Sequence, residues 1–423
     1  QTAGSGFSVR SVTGSDITSQ KVIGSYSGFD IDGDGNGEFV VHLEEGGVTD
    51  ADDVIIFESS ADNTYSKVWG VNYDDDSGDA EGTASVVIAD SDGDGRLEVI
   101  VAQQDPDNIL IYEYSGSGAI TDGSNPSETA VATLSLASTC MGIVVADLDG
   151  DGNNEIIVGT IDNTKGLYAF ETDGNNSYAT AVTYDVGEGD SYDGASYICG
   201  ASDFDGDGDL EIAVAGDNGR LYVFEFDGSA FIEEYDSGDL DDEGTPIGQG
   251  QEIAFGNLDN SGIDEIIITN QRDDEIYVFE GTSEDTYSKD ASDEIHNNGT
   301  TNIHALTVGD FDGDGNYEIY YAEGDDIRYK EFSGSAGSFT SSDFSSENNL
   351  VTNMGNSVQS ISVWTGSGSL YIDGDLYQDF ICTKNDGTND EIIIVESSTI
   401  SIPAKISGSS NHFRMMSSPV DGT

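Results

Sequence analysis

The chain has 423 residues, enough for two or three ordinary domains or for one large repeat architecture. Its formal net charge is -70 and its 13 basic residues form no patch, which argues against a phosphate-backbone partner. No apolar run approaches the roughly 20 residues of a membrane helix, and 20 Tyr and 17 Phe in regular apolar runs exclude an acidic disordered chain.

The chain opens at Gln1, and the expectation is a mature secreted product whose export signal has been removed. Residues 1–28 carry Arg10 and Lys21 against Asp16, a net +1 that is the wrong sign for the rest of the molecule. Within them Gly6–Thr13 (GFSVRSVT) reads as a polar outer strand, similar to Ser338–Phe344.

An acidic loop then recurs along the chain. It reads Asp30–Glu38 (DIDGDGNGE), Asp90–Glu98 (DSDGDGRLE), Asp147–Glu155 (DLDGDGNNE) and Asp203–Glu211 (DFDGDGDLE). It weakens at Asn257–Glu265 (NLDNSGIDE), returns intact at Asp310–Glu318 (DFDGDGNYE), and decays at Tyr371–Asp379 (YIDGDLYQD), where Leu376 replaces Gly. First positions fall 53 to 61 residues apart. A second marker follows each loop, a short apolar strand ending in Glu58, Glu113, Glu171, Glu225, Glu280, Glu331 or Glu396. It comes 21 to 28 residues after the first loop position in all seven units, so the seventh unit is real although its loop has decayed.

Each unit reads as four strands: an apolar run before the loop, one directly behind it, the Glu-ending segment and a more polar fourth. Short runs rich in Val, Ile and Tyr, divided by Gly, Asn and Asp, are strand signals, and no stretch sustains helical periodicity. Seven such units of about 57 residues predict an all-β, seven-bladed β-propeller of four-stranded blades, with the loops between first and second strands. The units start near 20, 82, 139, 194, 248, 302 and 356 and occupy residues 1–397, with residues 6–13 closing the ring as the outer strand of the last blade. Residues 398–423 are left as an apolar, slightly basic tail (Lys405 and Arg414 against Asp421). The tail is a candidate assembly segment, by strand addition or charge attraction to a neighbouring acidic disc.

The loop places acids at positions 1, 3, 5 and 9 and Gly at position 6. Alternate carboxylates converge on one point only if the backbone wraps around it, and Gly permits the bend. Oxygen ligands at this density suit a hard cation, Ca²⁺ above all. An EF-hand would need flanking helices and its Glu at position 12; here the acid stands at 9 and a strand follows. Turn formation alone also explains Asp-Gly pairs, but carboxylates this crowded repel without a cation among them.

The loop, its place between strands and the seven-fold count resemble the FG-GAP/VCBS (integrin-α-like) propeller family, over nearly all of residues 20–397. The resemblance implies Ca²⁺ loops on one face of the disc and ligands on the other. It implies five strong sites: Asp30, Asp32, Asp34, Asn36 and Glu38; Asp90, Asp92, Asp94, Arg96 and Glu98; Asp147, Asp149, Asp151, Asn153 and Glu155; Asp203, Asp205, Asp207, Asp209 and Glu211; and Asp310, Asp312, Asp314, Asn316 and Glu318. The seventh position of each gives only its backbone carbonyl. Asn257, Asp259, Ser261, Ile263 and Glu265 form a weaker site, and the loop opening at Tyr371 is expected to hold no metal.

Cys140, Cys199 and Cys382 lack CxxC spacing; buried free thiols are the expectation, with a Cys140–Cys199 bridge as the alternative. No GxSxG, HExxH or Gly-rich phosphate loop is present, so no catalytic residue is assigned, although His304 on a first strand would face the central channel. Asn175 and Asn298 stand in glycosylation sequons. The expected function is that of a secreted, calcium-stabilised, non-enzymatic surface-layer or fibre subunit that self-associates through its tail. The alternatives are a monomeric adhesin-like module binding glycan or protein on the face opposite the loops, and a polysaccharide lyase-like enzyme.

Overall fold

The computed structural model describes residues 2–3, 7–12, 21–44, 52–61, 64–72, 83–103, 106–121, 123–161, 165–187, 195–216, 219–238, 240, 252–270, 275–283, 285–289, 296–297, 303–311, 316–335, 337, 339–354, 358–363, 379–384 and 391–397. Among them the strands form seven antiparallel sheets, and the single helical turn is 3-10, Ser341–Asp343. No described helix is long and apolar enough to cross a membrane.

Strands β1 (Thr2–Ala3) and β2 (Phe7–Val12) come first. Blade 1 is β3 (Lys21–Phe29), β4 (Glu38–Glu44), β5 (Val54–Ala61) and β6 (Thr64–Val71). Blade 2 is β7 (Thr83–Ala89), β8 (Glu98–Gln103), β9 (Asn108–Glu113) and β10 (Ala132–Ser135). Blade 3 is β11 (Cys140–Ala146), β12 (Glu155–Thr160) and β13 (Leu167–Gly174), with β14 (Ser177–Tyr178) and β15 (Val182–Tyr184) sharing its outer edge. Blade 4 is β16 (Ala195–Ser202), β17 (Glu211–Gly216), β18 (Leu221–Phe226) and β19 (Phe231–Asp236). Blade 5 is β20 (Ile253–Gly256), β21 (Glu265–Asn270) and β22 (Glu275–Ser283), edged by β23 (Thr286–Lys289) and β24 (His296–Asn297). Blade 6 is β25 (Ile303–Gly309), β26 (Glu318–Glu323), β27 (Asp326–Glu331) and β28 (Asn348–Thr352). Blade 7 is β29 (Val358–Val363), β30 (Asp379–Lys384) and β31 (Glu391–Ser397).

The first strands touch in cyclic order, β3, β7, β11, β16, β20, β25, β29 and back to β3. The apolar core follows the same circuit. Along β4 the side chains alternate, so that Val40 packs toward blade 2 while Phe39, Val41 and Leu43 pack against Ile381, Ile392 and Ile394 of blade 7. Phe224 and Ile212 meet blade 3, whereas Val223 and Ala213 meet blade 5. Both faces of a blade are therefore buried, which is why the second and third strands read as continuous apolar runs and not as alternation. Each fully buried Val, Ile, Leu or Phe contributes about 1.5–3 kcal/mol relative to exposure. Polar ties between blades supplement this packing, among them the buried Trp69, which donates its indole N–H to the Pro126 carbonyl at 2.9 Å, from blade 1 to a loop of blade 2.

The two N-terminal strands lie on outer edges. Strand β2 pairs with β31, Phe7 opposite Ser397 and Val12 opposite Ile392. Strand β1 pairs with β28 of blade 6, Thr2 opposite Thr352, a placement the sequence did not suggest. Within Ser338–Phe344, read from sequence as a strand like residues 6–13, the described residues 339–344 instead carry the 3-10 turn, and the fourth strand of blade 6 lies further on at β28. The cause is local: Thr340 and Asp343 close a reciprocal capping box, and only the single bridge of Phe344 to Phe332 ties the segment to the third strand's extension. Cys140 and Cys382 are buried free thiols, so Cys140 forms no bridge to Cys199.

Candidate metal centres

Each of the first five loops sits where a first strand ends and a second begins, and the same backbone shape recurs among them. Positions 4 and 6 take positive φ as Gly33 and Gly35 (71° and 95°), Gly93 and Gly95 (73° and 90°), and Gly150 and Gly152 (71° and 97°). Gly206 and Gly208 do the same, and in the weakened loop Asn260 adopts 58° before Gly262 at 100°. Asn is among the few residues with a Cβ that visit this region at modest cost.

Wrapped this way, the loop's own amides hold its carboxylates. The position-5 N–H donates to the position-3 carboxylate (Asp34 to Asp32, 3.1 Å; Asp151 to Asp149, 3.0 Å). The position-6 N–H donates to position 1 (Gly95 to Asp90, 2.9 Å; Gly152 to Asp147, 3.1 Å). The ninth residue, on the second strand, accepts the position-2 N–H through Oε2: Glu38 from Ile31, Glu98 from Ser91, Glu155 from Leu148 and Glu211 from Phe204, each at 2.7 Å, and Glu265 from Leu258 at 2.6 Å. Glu318 accepts from Phe311 at 3.3 Å and from the Tyr320 hydroxyl at 2.6 Å.

The other oxygen of these glutamates is the telling atom. Glu38, Glu98, Glu155, Glu211 and Glu265 are fully buried, and no hydrogen bond reaches Oε1 of any of them. Asp90 Oδ1, Asp147 Oδ1 and Asn257 Oδ1 are buried and unsatisfied at the same loops. Burial pushes Glu38, Glu98, Glu155, Glu211 and Glu265 up to about 9. Ligand oxygens of Asp30, Asp32, Asp34 and Glu38 lie within 4.8 Å of one another, as do those of Asp90, Asp92, Asp94 and Glu98, those of Asp203, Asp205, Asp207 and Glu211, and those of Asp147, Asp149 and Glu155. An all-oxygen set with inward-facing buried oxygens that lack partners fits a hard divalent cation of calcium's size.

Two features went unrecognised in the sequence. The Glu ending each third strand stands directly across the ladder from the ninth loop residue: Glu58 opposite Glu38, Glu113 opposite Glu98, Glu171 opposite Glu155, Glu225 opposite Glu211 and Glu331 opposite Glu318. Like charges so placed repel. Burial, then the nearby loop aspartates, raise Glu58 and Glu280, while burial leads again for Glu171 and Glu225. The fixed spacing of this Glu was the available signal. Second, in four loops the position-3 aspartate turns its Oδ2 to the following blade and accepts a backbone N–H there. Asp32 accepts from Ile120 at 3.1 Å, Asp92 from Asn176 at 2.6 Å, Asp205 from Asp285 at 2.6 Å and Asp259 from Gly337 at 2.8 Å. No local sequence signal announces this contact.

Asn175 is exposed on a hairpin tip and donates its side-chain amide to Asp94 Oδ2 at 2.5 Å. Asn36 and Asn153 donate side-chain amides to Asp34 and Asp151, and Asn316 donates to Glu331 Oε1 at 3.2 Å. Asp310 is described, whereas Asp312, Asp314, Asn298, residues 371–378, the tail 398–423 and the His304 side chain lie outside the described residues.

The FG-GAP-like repeat family matches this sequence at residues 92–158, 203–268 and 257–321. No curated protein matches it in sequence. Among solved structures, an Agrocybe aegerita lectin, described with its recognition of non-reducing terminal N-acetylglucosamine, superposes with a TM-score of 0.51 at 17% identity, covering 82% of this chain and 88% of that one. BBS1N, solved in complex with ARL6DN, gives a TM-score of 0.49 at 12% identity over 93% of this chain and 94% of that one.

Proposed function

We propose that this chain, which carries FG-GAP-like repeats on a seven-bladed β-propeller, is a calcium-loaded extracellular module that works by binding and assembly and not by catalysis. The observation that carries the reading is the buried ninth-position glutamate with one oxygen unsatisfied, repeated at Glu38, Glu98, Glu155, Glu211 and Glu265. A carboxylate stripped of water needs a cation or a proton, and the surrounding aspartates supply an oxygen cage for the first. Asp310, Asp312, Asp314, Asn316 and Glu318 complete the set of intact loops. Extracellular calcium modules bind at roughly 10⁻⁴–10⁻³ M, so such sites fill outside a cell. Strand β2 closes the ring on this reading, a role supported by its ladder with β31. The slightly basic tail, residues 398–423, would then engage a neighbouring acidic disc and build a surface layer or fibre.

The second reading is a monomeric glycan- or protein-binding module on the face opposite the loops. The test is light scattering on a sizing column in millimolar calcium, after chelation, and with residues 398–423 deleted. A polymer that falls to a monomer on deleting the tail supports the assembly reading. A monomer in every condition rejects it and leaves the second reading, to be pursued on glycan arrays.

A further inference from the structure

The junctions between blades 2 and 3 and between blades 4 and 5 are built alike but charged differently. At the first, the third-strand Glu113 has a partner on each oxygen: Arg96, the seventh loop residue, donates Nη1 to Glu113 Oε1 at 2.7 Å, and Asn176 of the next blade donates Nδ2 to Oε2 at 2.5 Å. At the second junction Asp209 stands in the place of Arg96 and Asp285 in the place of Asn176. Glu225 corresponds to Glu113, each directly opposite its loop glutamate. The place that one junction gives to a partly exposed guanidinium is lined at the other by acids.

A further acid is directed into it. Strand β19 pairs Val223 with Tyr235 and Phe224 with Glu233, leaving Glu234 as the extra residue of a β-bulge. A bulge re-aims one side chain. Tyr235 packs on Phe279 and Tyr287 of blade 5, and Glu234 turns the same way, accepting the Tyr287 hydroxyl at 3.2 Å. Its carboxylate gathers with Asp205 and Asp285, ligand oxygens within 4.8 Å of one another. The blades meet closely there because Gly281 has no side chain; a Cβ would collide with the Phe204 carbonyl. Glu211, fully buried with Oε1 lacking a partner, borders the same place, and Glu234 is the acid that acts on it most strongly.

We propose that the blade 4–blade 5 junction binds a second divalent cation, held by Glu234, Asp285 and Asp205 beside the loop ion of Asp203, Asp205, Asp207 and Glu211, with Asp205 shared between the two. Glu225 stands next to it and offers a further oxygen. The ligands are all oxygen, so the cation is a hard one such as Ca²⁺. The proposal rests on the loops themselves binding calcium, and the experiment separates the two claims.

The full chain, stripped of metal, is titrated with Ca²⁺ while bound ions are counted by native mass spectrometry. Tb³⁺ emission sensitised by Tyr287 serves as a second readout. E234Q is expected to lose one bound ion and only the fraction of the Tyr-sensitised emission that this ion takes from Tyr287, since Tyr178 and Tyr320 stand at other loops, and E98Q to lose a loop ion at the distant blade 2. The double variant D209R with D285N reproduces the blade 2–3 arrangement. It should also lose one ion, yet keep more of its melting temperature in chelator than the parent does. If E98Q loses an ion while E234Q and the double variant bind as many as the parent, the second site is overturned and the loops stand. If the parent binds no ion at all, the loop reading falls and the junction site with it.

Discussion

Asp92 Oδ2 accepts the backbone N–H of Asn176 at 2.6 Å, so a carboxylate of the blade 2 loop is anchored in the hairpin of blade 3. The same latch joins Asp32 to Ile120, Asp205 to Asp285 and Asp259 to Gly337. On the proposed calcium reading, holding the cation and docking the next blade draw on the same aspartate side chain.

Chelation should therefore loosen the junctions before it melts the sheets. The amides of Ile120, Asn176, Asp285 and Gly337 are expected to exchange roughly tenfold faster or more in chelator, a shift of about 1.4 kcal/mol in local opening, with mid-strand amides such as Ile157 little changed. Hydrogen exchange with mass spectrometry reads this directly. Uniform acceleration across strands and hairpins would disprove the coupling.

A buried glutamate without its cation makes the metal-free protein sensitive to pH. Burial places Glu38, Glu98, Glu155, Glu211 and Glu265 at about 9 in the folded chain against 4.5 for the free side chain. The folded state then holds more protons than the unfolded one, so this stability is full below about 4.5 and is lost as pH rises toward 9. With calcium the proton becomes a competitor, and affinity rises over the same window. Melting curves from pH 5 to 9 should show the calcium-induced gain widening with pH. A constant gap would rule out these glutamates as ligands.

Glu98→Gln should change sign with conditions. In chelator at pH 8 the variant is expected to melt above the parent, because Gln is neutral already, whereas Glu98 must take up a proton to be buried at that pH. In millimolar calcium it should melt below it by roughly 1 kcal/mol, the mass-action contribution of one weak site. The same order of stability in both conditions would contradict a metal role for Glu98.

The weakened loop can be rebuilt. Asn257→Asp with Ser261→Asp restores acids at positions 1, 3, 5 and 9 on a backbone already shaped for them by Asn260 and Gly262. Calcium titration should show one more tight site, with affinity raised on the order of tenfold by the added carboxylates. No change would mean that the loop, and not its ligands, limits binding.

Gly281→Ala tests the tight seam. An added methyl must displace the Phe204 backbone, and a cost on the order of 1–3 kcal/mol is expected from urea unfolding, as for other overpacked sites. An unchanged midpoint would show that the seam can open without loss.

Blade number and loop positions were legible because both are written locally. Nine residues specify each loop, and the apolar runs behind them, such as Ile156-Ile157-Val158, mark strands buried on both faces. The Glu at the end of each third strand was visible as a marker, but its meaning was not. Only the register that sets Glu171 against Glu155 brings it to the loop, and hairpins of unequal length hide that register in the spacing. Fourth strands were the least legible. Asn348–Thr352 has a polar start that resembles loop, while Ser338–Phe344 had the look of a strand and became a capped turn. The bulge that turns Glu234 toward blade 5 depends on one extra residue within a ladder, which composition does not register.

The ladder between β2 and β31 ties folding to synthesis. Val9 pairs with Val395, so the ribosome must release the chain through β31 before the last sheet is complete. The thermodynamic charge for so long a closure is modest, each doubling of a loop costing about 0.6 kcal/mol. The kinetic one is larger, because pairings between distant residues form slowly. Until then blade 7 exposes an unfilled outer edge, open to the first strand of a different molecule. Chains refolded at high concentration should therefore exchange their amino-terminal strands, yielding swapped dimers and open chains of discs in proportion to crowding, whereas dilution should return single rings.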